Sequence, residues 1–492
     1  MRILTSFFAA LVAAVSLGAG AQDAPGRAGR LAHAEGSVSV YMDPDIGWEP
    51  AYVNTPITSE NSIWTDYDSR AELRVSGMAV RIDETTQLDI SGLDDDRIDA
   101  TLVRGSINVR IRHFQRNDRV VINTPNARYI LLGVGRYRID ADPQRGDSRL
   151  AVFEGRAALR TGDNRISVPA GQSVVVWGDD RASYAMQRIF TTEFDRWANT
   201  RDSRWVERNS TRYVSTYMTG YEDLDQYGEW IQEPDYGPLW IPTRVQRDWI
   251  PYRYGHWAWV RPWGWTWIDD QPWGYAPFHY GRWVYVRNRW AWHPGERVAR
   301  PVWAPALVAW IGGSNFSVGV SSGGPTVGWY PLSPWDRYQP WYQASPTYVN
   351  RVNVIVRSEP ARQDRRDWQR FTRERGTTVV ERAAMVDSRP IRQAALPVTA
   401  EAIRQAQVTP RPEAVLPSRN DVLQRRRERP QQAAPAPTAP AVARAPSSAP
   451  PGAPAQSPPG RAAVVRPDFG RGAVVAAPQP ATEASRDNGN ID

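Results

Sequence analysis

A chain of 492 residues, 41% of them apolar, has length for two or three domains and material for at least one sizeable core. All 60 basic residues are Arg; beyond Pro360 there are 21 Arg against 13 acids, whereas residues 1–360 set 39 Arg against 40 acids, so the alkaline balance belongs to the C-terminal part and gives no basic folded surface for nucleic acid. The absence of Cys excludes disulfides, thiolate metal sites, a lipid-modified Cys and a Cys nucleophile.

Residues 1–21 read as a secretory signal: Arg2 is a short positive region, Ile3 to Leu17 is apolar, and Ala19-Gly20-Ala21 suits cleavage. The apolar run is short for a membrane span, and whether it is cleaved or kept as an anchor stays open. The expected location is the periplasm or the outer-membrane face.

From 31 to 180 short β-runs alternate with turns. Ile107, Val109 and Ile111 share one face of a strand, and Arg104-Gly105 reads as the turn before it. Further runs follow at 119–123, 128–132, 136–141, 150–153 and 156–160, with Thr161 to Asn164 as a hairpin turn into Ile166 and Val168. Such spacing predicts a sandwich, a barrel or a β-roll. Asp94-Asp95-Asp96 lacks the alternating acids of a calcium loop and reads as a solvated turn.

Gly36-x-Val38-x-Val40, Ser69 to Leu73, Leu102-x-x-Gly105, Thr124-Pro125, Gly135-x-Tyr137-Arg138, Glu154-Gly155 and Ala170-Gly171-Gln172 carry a resemblance to FecR-type domains over about 140 residues. The resemblance implies a periplasmic all-β module of the kind found in sensors that regulate sigma factors during iron uptake. Those sensors place a cytoplasmic helical segment and a membrane helix ahead of the module. This chain begins differently, so the fold is expected to carry over and the anti-sigma role is not.

A connector at 185–210 is expected to be helical, with Phe190, Phe194 and Trp197 on one face, Thr191 or Thr192 as cap and Glu193 and Asp195 in the first turn. It reads as a helix that docks one domain on another.

The stretch 221–358 is the densest in aromatics: seventeen of the 23 tryptophans lie between Tyr227 and Trp341. Tyr227-Gly228-Glu229-Trp230, Tyr254-Gly255-His256-Trp257 and Tyr280-Gly281-Arg282-Trp283 align, each followed by a further Trp or a Trp-x-Trp pair, which suits a hairpin per unit. Arg287-Asn288-Arg289 and Pro262-Trp263-Gly264 fall where the turns belong. Trp-x-Trp on a strand puts both indoles on one face. Trp257, Trp259, Trp265, Trp267, Trp290 and Trp292 are therefore the candidate binding platform for sugar rings or a protein's side chains. The competing reading makes the same indoles core. So many tryptophans exceed what about 115 residues should bury, and the two readings stay side by side. Together with the FecR-type motifs, this stretch resembles a family of uncharacterised bacterial envelope proteins, a resemblance that adds architecture and no activity.

His256, His279 and His293 have no short metal-ligand spacing, and no cofactor is expected. Asp269-Asp270, with Glu229 or Glu233, is the one set of acids that fits a glycosidase pair, and a turn after Trp267 explains it equally. Phe316, Val318 and Val320 alternate, and Val352 to Val356 reads as a last strand. From 360 to 492 the Arg, Ala and Pro content predicts a largely disordered tail, whose Arg425-Arg426-Arg427 and Arg429 suit an anionic envelope surface.

The expectation is thus a mainly β protein: a FecR-like β-sandwich or β-roll, a short helix, a Trp-rich β-hairpin module and a disordered tail. Its expected function is non-enzymatic, a binding or scaffold element for a glycan or an envelope protein. Two alternatives are a periplasmic sensor and a carbohydrate-active enzyme.

Overall fold

A computed structural model describes residues 23–161, 164–178, 182–205, 209–312, 325–354, 370–409 and 412–428. The expected signal peptide, part of the Thr161 to Asn164 turn, the Phe316 to Val320 alternation, Arg429 and the Ala/Pro run lie outside these residues.

The first domain is organised by one long strand, Arg97–Ile111. Its first part pairs antiparallel with Thr86–Leu93 and parallel with Arg119–Thr124. Its second part pairs with Met78–Ile82 and Gly135–Asp142. The strand therefore crosses from one sheet to the other, and the seventeen strands of this first domain close into a rolled sandwich. The expected turn at Gly105 is instead a corner within this strand. Gly105 has φ +92°, and a Cβ there would lie 2.1 Å from Thr86 Oγ1, so only glycine turns the ladder without breaking it. Ile107, Val109 and Ile111 face the core as their alternation requires, beside Leu102, Ile122, Tyr129, Ile139, Leu150 and Val152. The sheet runs past residue 180: Ser183–Arg188 pairs with Gln172–Trp177 and forms an edge.

The connector helix spans Glu193–Arg204. Thr192 caps it in a full capping box with Asp195, and Glu193 and Asp195 sit where the helix dipole favours acids. Phe190 precedes the helix and is half exposed, so the expected three-residue stripe shortens to Phe194 and Trp197, whose rings stack 5.9 Å apart. The helix lies on the first domain's sheet. Asp195 pairs with the buried Arg138, and Asp202 with Arg81 at 2.8 Å.

Each aligned Tyr-Gly-x-Trp segment opens a hairpin. Gly228–Glu233 pairs with Gly237–Pro242, Gly255–Val260 with Gly264–Asp269, and Arg282–Val286 with Arg289–His293. Arg287 and Asn288 both have positive φ, as a tight hairpin turn requires. The glycine of the motif has a shared physical cause. A Cβ on Gly228 would lie 2.3 Å from the Trp240 ring; on Gly255, 2.2 Å from Ile268 O and 2.8 Å from the Trp267 ring; on Gly281, 2.6 Å from Trp292 Nε1. In each hairpin, an indole of the second strand lies across the bare glycine of the first.

Two sequence boundaries move. Pro346–Val352 is a helix capped by Ser345 with Pro346 in its first turn, so the strand expected from Val352 does not form among the described residues. Residues 370–409 and 412–428 are folded rather than tail. Thr378–Glu381 adds a third strand beside Thr326–Pro331, and Val379, Val380, Met385, Ile391, Leu416 and Val422 are buried. These apolar residues are spaced too widely among Arg and Ala for a composition window to register them. All the described residues fall in one compact unit.

Candidate functional site

The six indoles proposed as a platform lie in the core. Trp257, Trp265, Trp267, Trp290 and Trp292 are buried, and Trp259 is partly buried. Every other tryptophan between Tyr227 and Trp341 is buried too, except Trp230 and Trp341, which are partly covered. Trp257 packs edge-on against Trp267 and Trp329, with centroids 5.4 Å away in both cases. Trp267, Trp292 and Trp240 direct their indole N–H groups to Asp269 Oδ2, Tyr280 O and Leu224 O at 2.8–3.0 Å. The platform reading is corrected to core, and the reason lies outside the module. Val380, Ala384, Met385, Ile391, Leu416 and Val422 cover the indoles from the C-terminal side, and Trp265 Nε1 donates to Pro417 O at 2.7 Å. The apparent excess of tryptophan is what those residues need as a partner surface.

Two arginines of the basic run in the same segment are also engaged, while Arg427 is exposed. Arg425 pairs with Asp387 at 2.8 Å, Arg426 with Glu49, and Arg419 with Asp43 at 2.7 Å, so the helix Arg419–Glu428 straps the module to the first domain's Val38–Asp43 hairpin. Arg425 and Arg426 therefore do not present free charge to an anionic surface.

The acids of the glycosidase reading are kept apart in role. Asp269 is buried, accepting from Trp267 Nε1 and Gln271 N, and burial raises its carboxyl well above the usual range. Asp270 is exposed, while Glu229 and Glu233 pair across the sheet with Arg289 at 3.1 Å and Arg287 at 2.6 Å. The histidines are structural. His279 faces Ala304 O at 2.8 Å and stacks on Trp303, and burial pushes it down to about 3. His293 Nδ1 accepts from Gly295 N at 3.0 Å, which leaves Nε2 to donate to Tyr236 O at 3.1 Å; burial lowers it to about 4, so the ring is neutral. Among the described residues no group of three or more His, Asp or Glu could hold a metal ion.

What the structure brings together, and the sequence did not reveal, is the seam between the two domains. Arg30 is buried and reaches Asn54 Oδ1 at 2.8 Å, Asp223 and Pro272 O. Asn54 Nδ2 donates to Asp269 O and Gln271 O, both at 2.7 Å. Arg74 joins Glu72 at 2.6 Å to Glu222 at 2.9 Å. Burial alone would raise the Glu72 carboxyl; Arg74, Arg81 and Arg201 outweigh it and hold the group far below the usual range. The Asp94 to Asp96 run is part of this seam, since Asp95 pairs with Arg351 at 3.0 Å and its carbonyl accepts from Arg300.

Just inside the module from Arg300 and Arg351 lies a cavity of about 130 Å3. Met218, Val298, Val302 and Val352 supply apolar wall, and Tyr280, Arg282 and His293 supply polar groups. Four of the exposed large apolar side chains, Trp177, Tyr184, Met186 and Phe190, at 41–50% exposure, lie at the C-terminal edge of the first domain.

Comparison with known proteins agrees with this division. Residues 61–158 match the FecR protein family, and residues 221–336 match a family of unknown function (DUF6600). Two crystal structures of a candidate anti-sigma factor from Parabacteroides distasonis ATCC 8503 are similar at 11% and 12% identity, each with a TM-score of 0.25 over 28% of this chain. The chain spans about 64% of the length of that neighbour. No curated protein matches. No helix among the described residues is long and apolar enough to cross a membrane.

Proposed function

We propose that the protein is a non-enzymatic regulatory element of the bacterial cell envelope, exported through residues 1–21 to the periplasm or the outer-membrane face. Its FecR-like domain meets a partner protein, and the Trp-rich hairpin module holds that domain in one pose. The reading rests on the FecR match at 61–158, on a domain whose edge strand Ser183–Arg188 leaves Tyr184 and Met186 exposed. The seam supports it: buried ion pairs that join Arg30 and Arg74 to Asp223 and Glu222 fix the two domains as one body. Glycan recognition through the indoles finds no support, because the rings are covered by Val380, Ala384, Met385, Ile391, Leu416 and Val422.

The test is photo-crosslinking in living cells, with the reactive side chain placed at Tyr184 or at Trp265. The expected result is a discrete adduct with an envelope protein from position 184 and none from position 265. An adduct from 265, or none from 184, overturns the proposal.

A further inference from the structure

Arg282 is 9% exposed, yet no carboxylate among the described residues lies within ion-pairing distance of it. Its guanidinium donates to Gly281 O at 2.8 Å, Asn353 Oδ1 at 3.1 Å and Val352 O at 3.4 Å. Those bonds use three of five N–H groups, all to neutral acceptors. The carboxylate of Asp336 acts on it from a distance while accepting from Ser333 N at 2.9 Å and Ser333 Oγ at 2.7 Å. A buried cation without a counter-ion is costly, and proteins normally pair it.

The other charges around the cavity are already balanced. Arg300 pairs with Asp118 at 2.6 Å and Arg351 with Asp95 at 3.0 Å. Glu296, the acid among the lining residues, is exposed and sits at the rim. His293 is spent on both ring nitrogens, holding the His293 to Gly295 turn that forms one wall. The remaining wall is apolar: Met218, Val298, Val302 and Val352.

We propose that this cavity binds a small monocarboxylate with a short apolar tail, its carboxylate held by Arg282. The Nε–H and second Nη1–H of Arg282 are not used by its bonds to Gly281, Asn353 and Val352 and can give charge-assisted hydrogen bonds to a carboxylate. The volume sets the size, since a cavity of roughly 150 Å3 holds a ring as large as benzene. The apolar part of the wall, Met218, Val298, Val302 and Val352, suits a short alkyl tail. The site stands on the geometry around Arg282 and is independent of the regulatory reading above.

The experiment is thermal unfolding of the full chain titrated with sodium propionate, with propionamide and sodium sulfate as parallel probes. Propionate is expected to raise Tm saturably, while the uncharged amide and the tetrahedral dianion do not. Arg282→Gln should weaken propionate at least about tenfold, the loss of a charge-assisted pair. Because Arg282→Gln can also disturb folding, Val298→Phe is measured beside it: it fills the cavity from the rim, keeps Arg282, and should abolish the propionate effect at native Tm. Equal shifts from propionate and propionamide, equal shifts from propionate and sulfate, or a propionate response that survives Val298→Phe each overturn the proposal. Crosslinking from Tyr184 does not enter this test, so each proposal fails separately.

Discussion

The two domains solve the same packing problem with different side chains. The FecR-like sandwich fills its core with Ile, Leu and Val at alternating positions of many strands, and each strand's inner face is complete within the domain. The hairpin module uses strands of five or six residues, too short to bury enough aliphatic area, and compensates with indoles. Large rings in short strands leave edges that the hairpins cannot close. The module is finished by Val380, Ala384, Met385, Ile391, Leu416 and Val422 and by the seam. An aliphatic sandwich is therefore self-sufficient, whereas the aromatic module depends on chain more than a hundred residues away.

The largest test of that contrast is to end the chain at Gly376. This removes Val380, Met385, Ile391, Leu416 and Val422 from the aromatic core, a loss above about 5 kcal/mol. The near-UV dichroism of the tryptophans should collapse and dye binding rise, while amide protection in 97–152 persists. If the tryptophan signal survives, the module is as independent as the sandwich.

Next comes Glu72→Gln, which leaves Arg74, Arg81 and Arg201 facing one another without their shared carboxylate. The expected cost is about 4 kcal/mol in chemical denaturation, with the connector helix losing protection first.

Acid separates the regions by pH. His279 and His293 titrate in the folded chain at about 3 and about 4, below the 6.5 of an exposed ring. The unfolded chain then takes the protons first, so their stabilisation is complete above about pH 6.5 and is lost as pH falls toward 4. For His293 the loss amounts to about 3 kcal/mol. Asp269, raised by burial, works in the opposite direction, so the histidine part is the difference in pH slope between the native chain and His293→Gln. Glu72 has a lowered carboxyl, and its contribution fades only as pH falls below about 4.5. The aromatic module should therefore loosen at a higher pH than the connector does.

A finer probe is Gly255→Ala, whose Cβ would meet Ile268 O at 2.2 Å; about 2 kcal/mol is expected. Gly171→Ala in the sandwich has φ +82° but nothing within 4 Å, and should cost about 1 kcal/mol, for strain alone. Tyr184→Ser, at an exposed edge position, should change stability by no more than about 0.5 kcal/mol while removing the partner contact.

Much of this architecture was legible in residue order. Alternation places Ile107, Val109 and Ile111 correctly because a strand has only two faces. The Tyr-Gly-x-Trp spacing locates all three hairpins because a glycine opposite an indole is a local requirement. Which way a paired indole looks is not local. Trp257 and Trp267 share a face in any reading, but the cover over that face comes from Ala384 and Leu416, which lie in a segment with the composition of a tail. The seam was hidden for the same reason: Arg30, Asn54 and Glu222 are polar residues with no periodicity, and they become recognisable only when opposed. Arg282 looked like the variable position of a motif until its missing counter-ion could be seen.

The strap from 370 to 428 also sets an order of events. A chain made from its N-terminus completes the sandwich first, and the three hairpins follow with their glycines and indoles already in register. Their outer rings then wait bare until Leu416 and Val422 arrive. Over that interval the nascent chain carries its most adhesive surface uncovered, and whatever accompanies it must shield tryptophan rather than aliphatic side chains. The last sixth of the folded part is thus the step at which this protein either closes on itself or is captured by a neighbour.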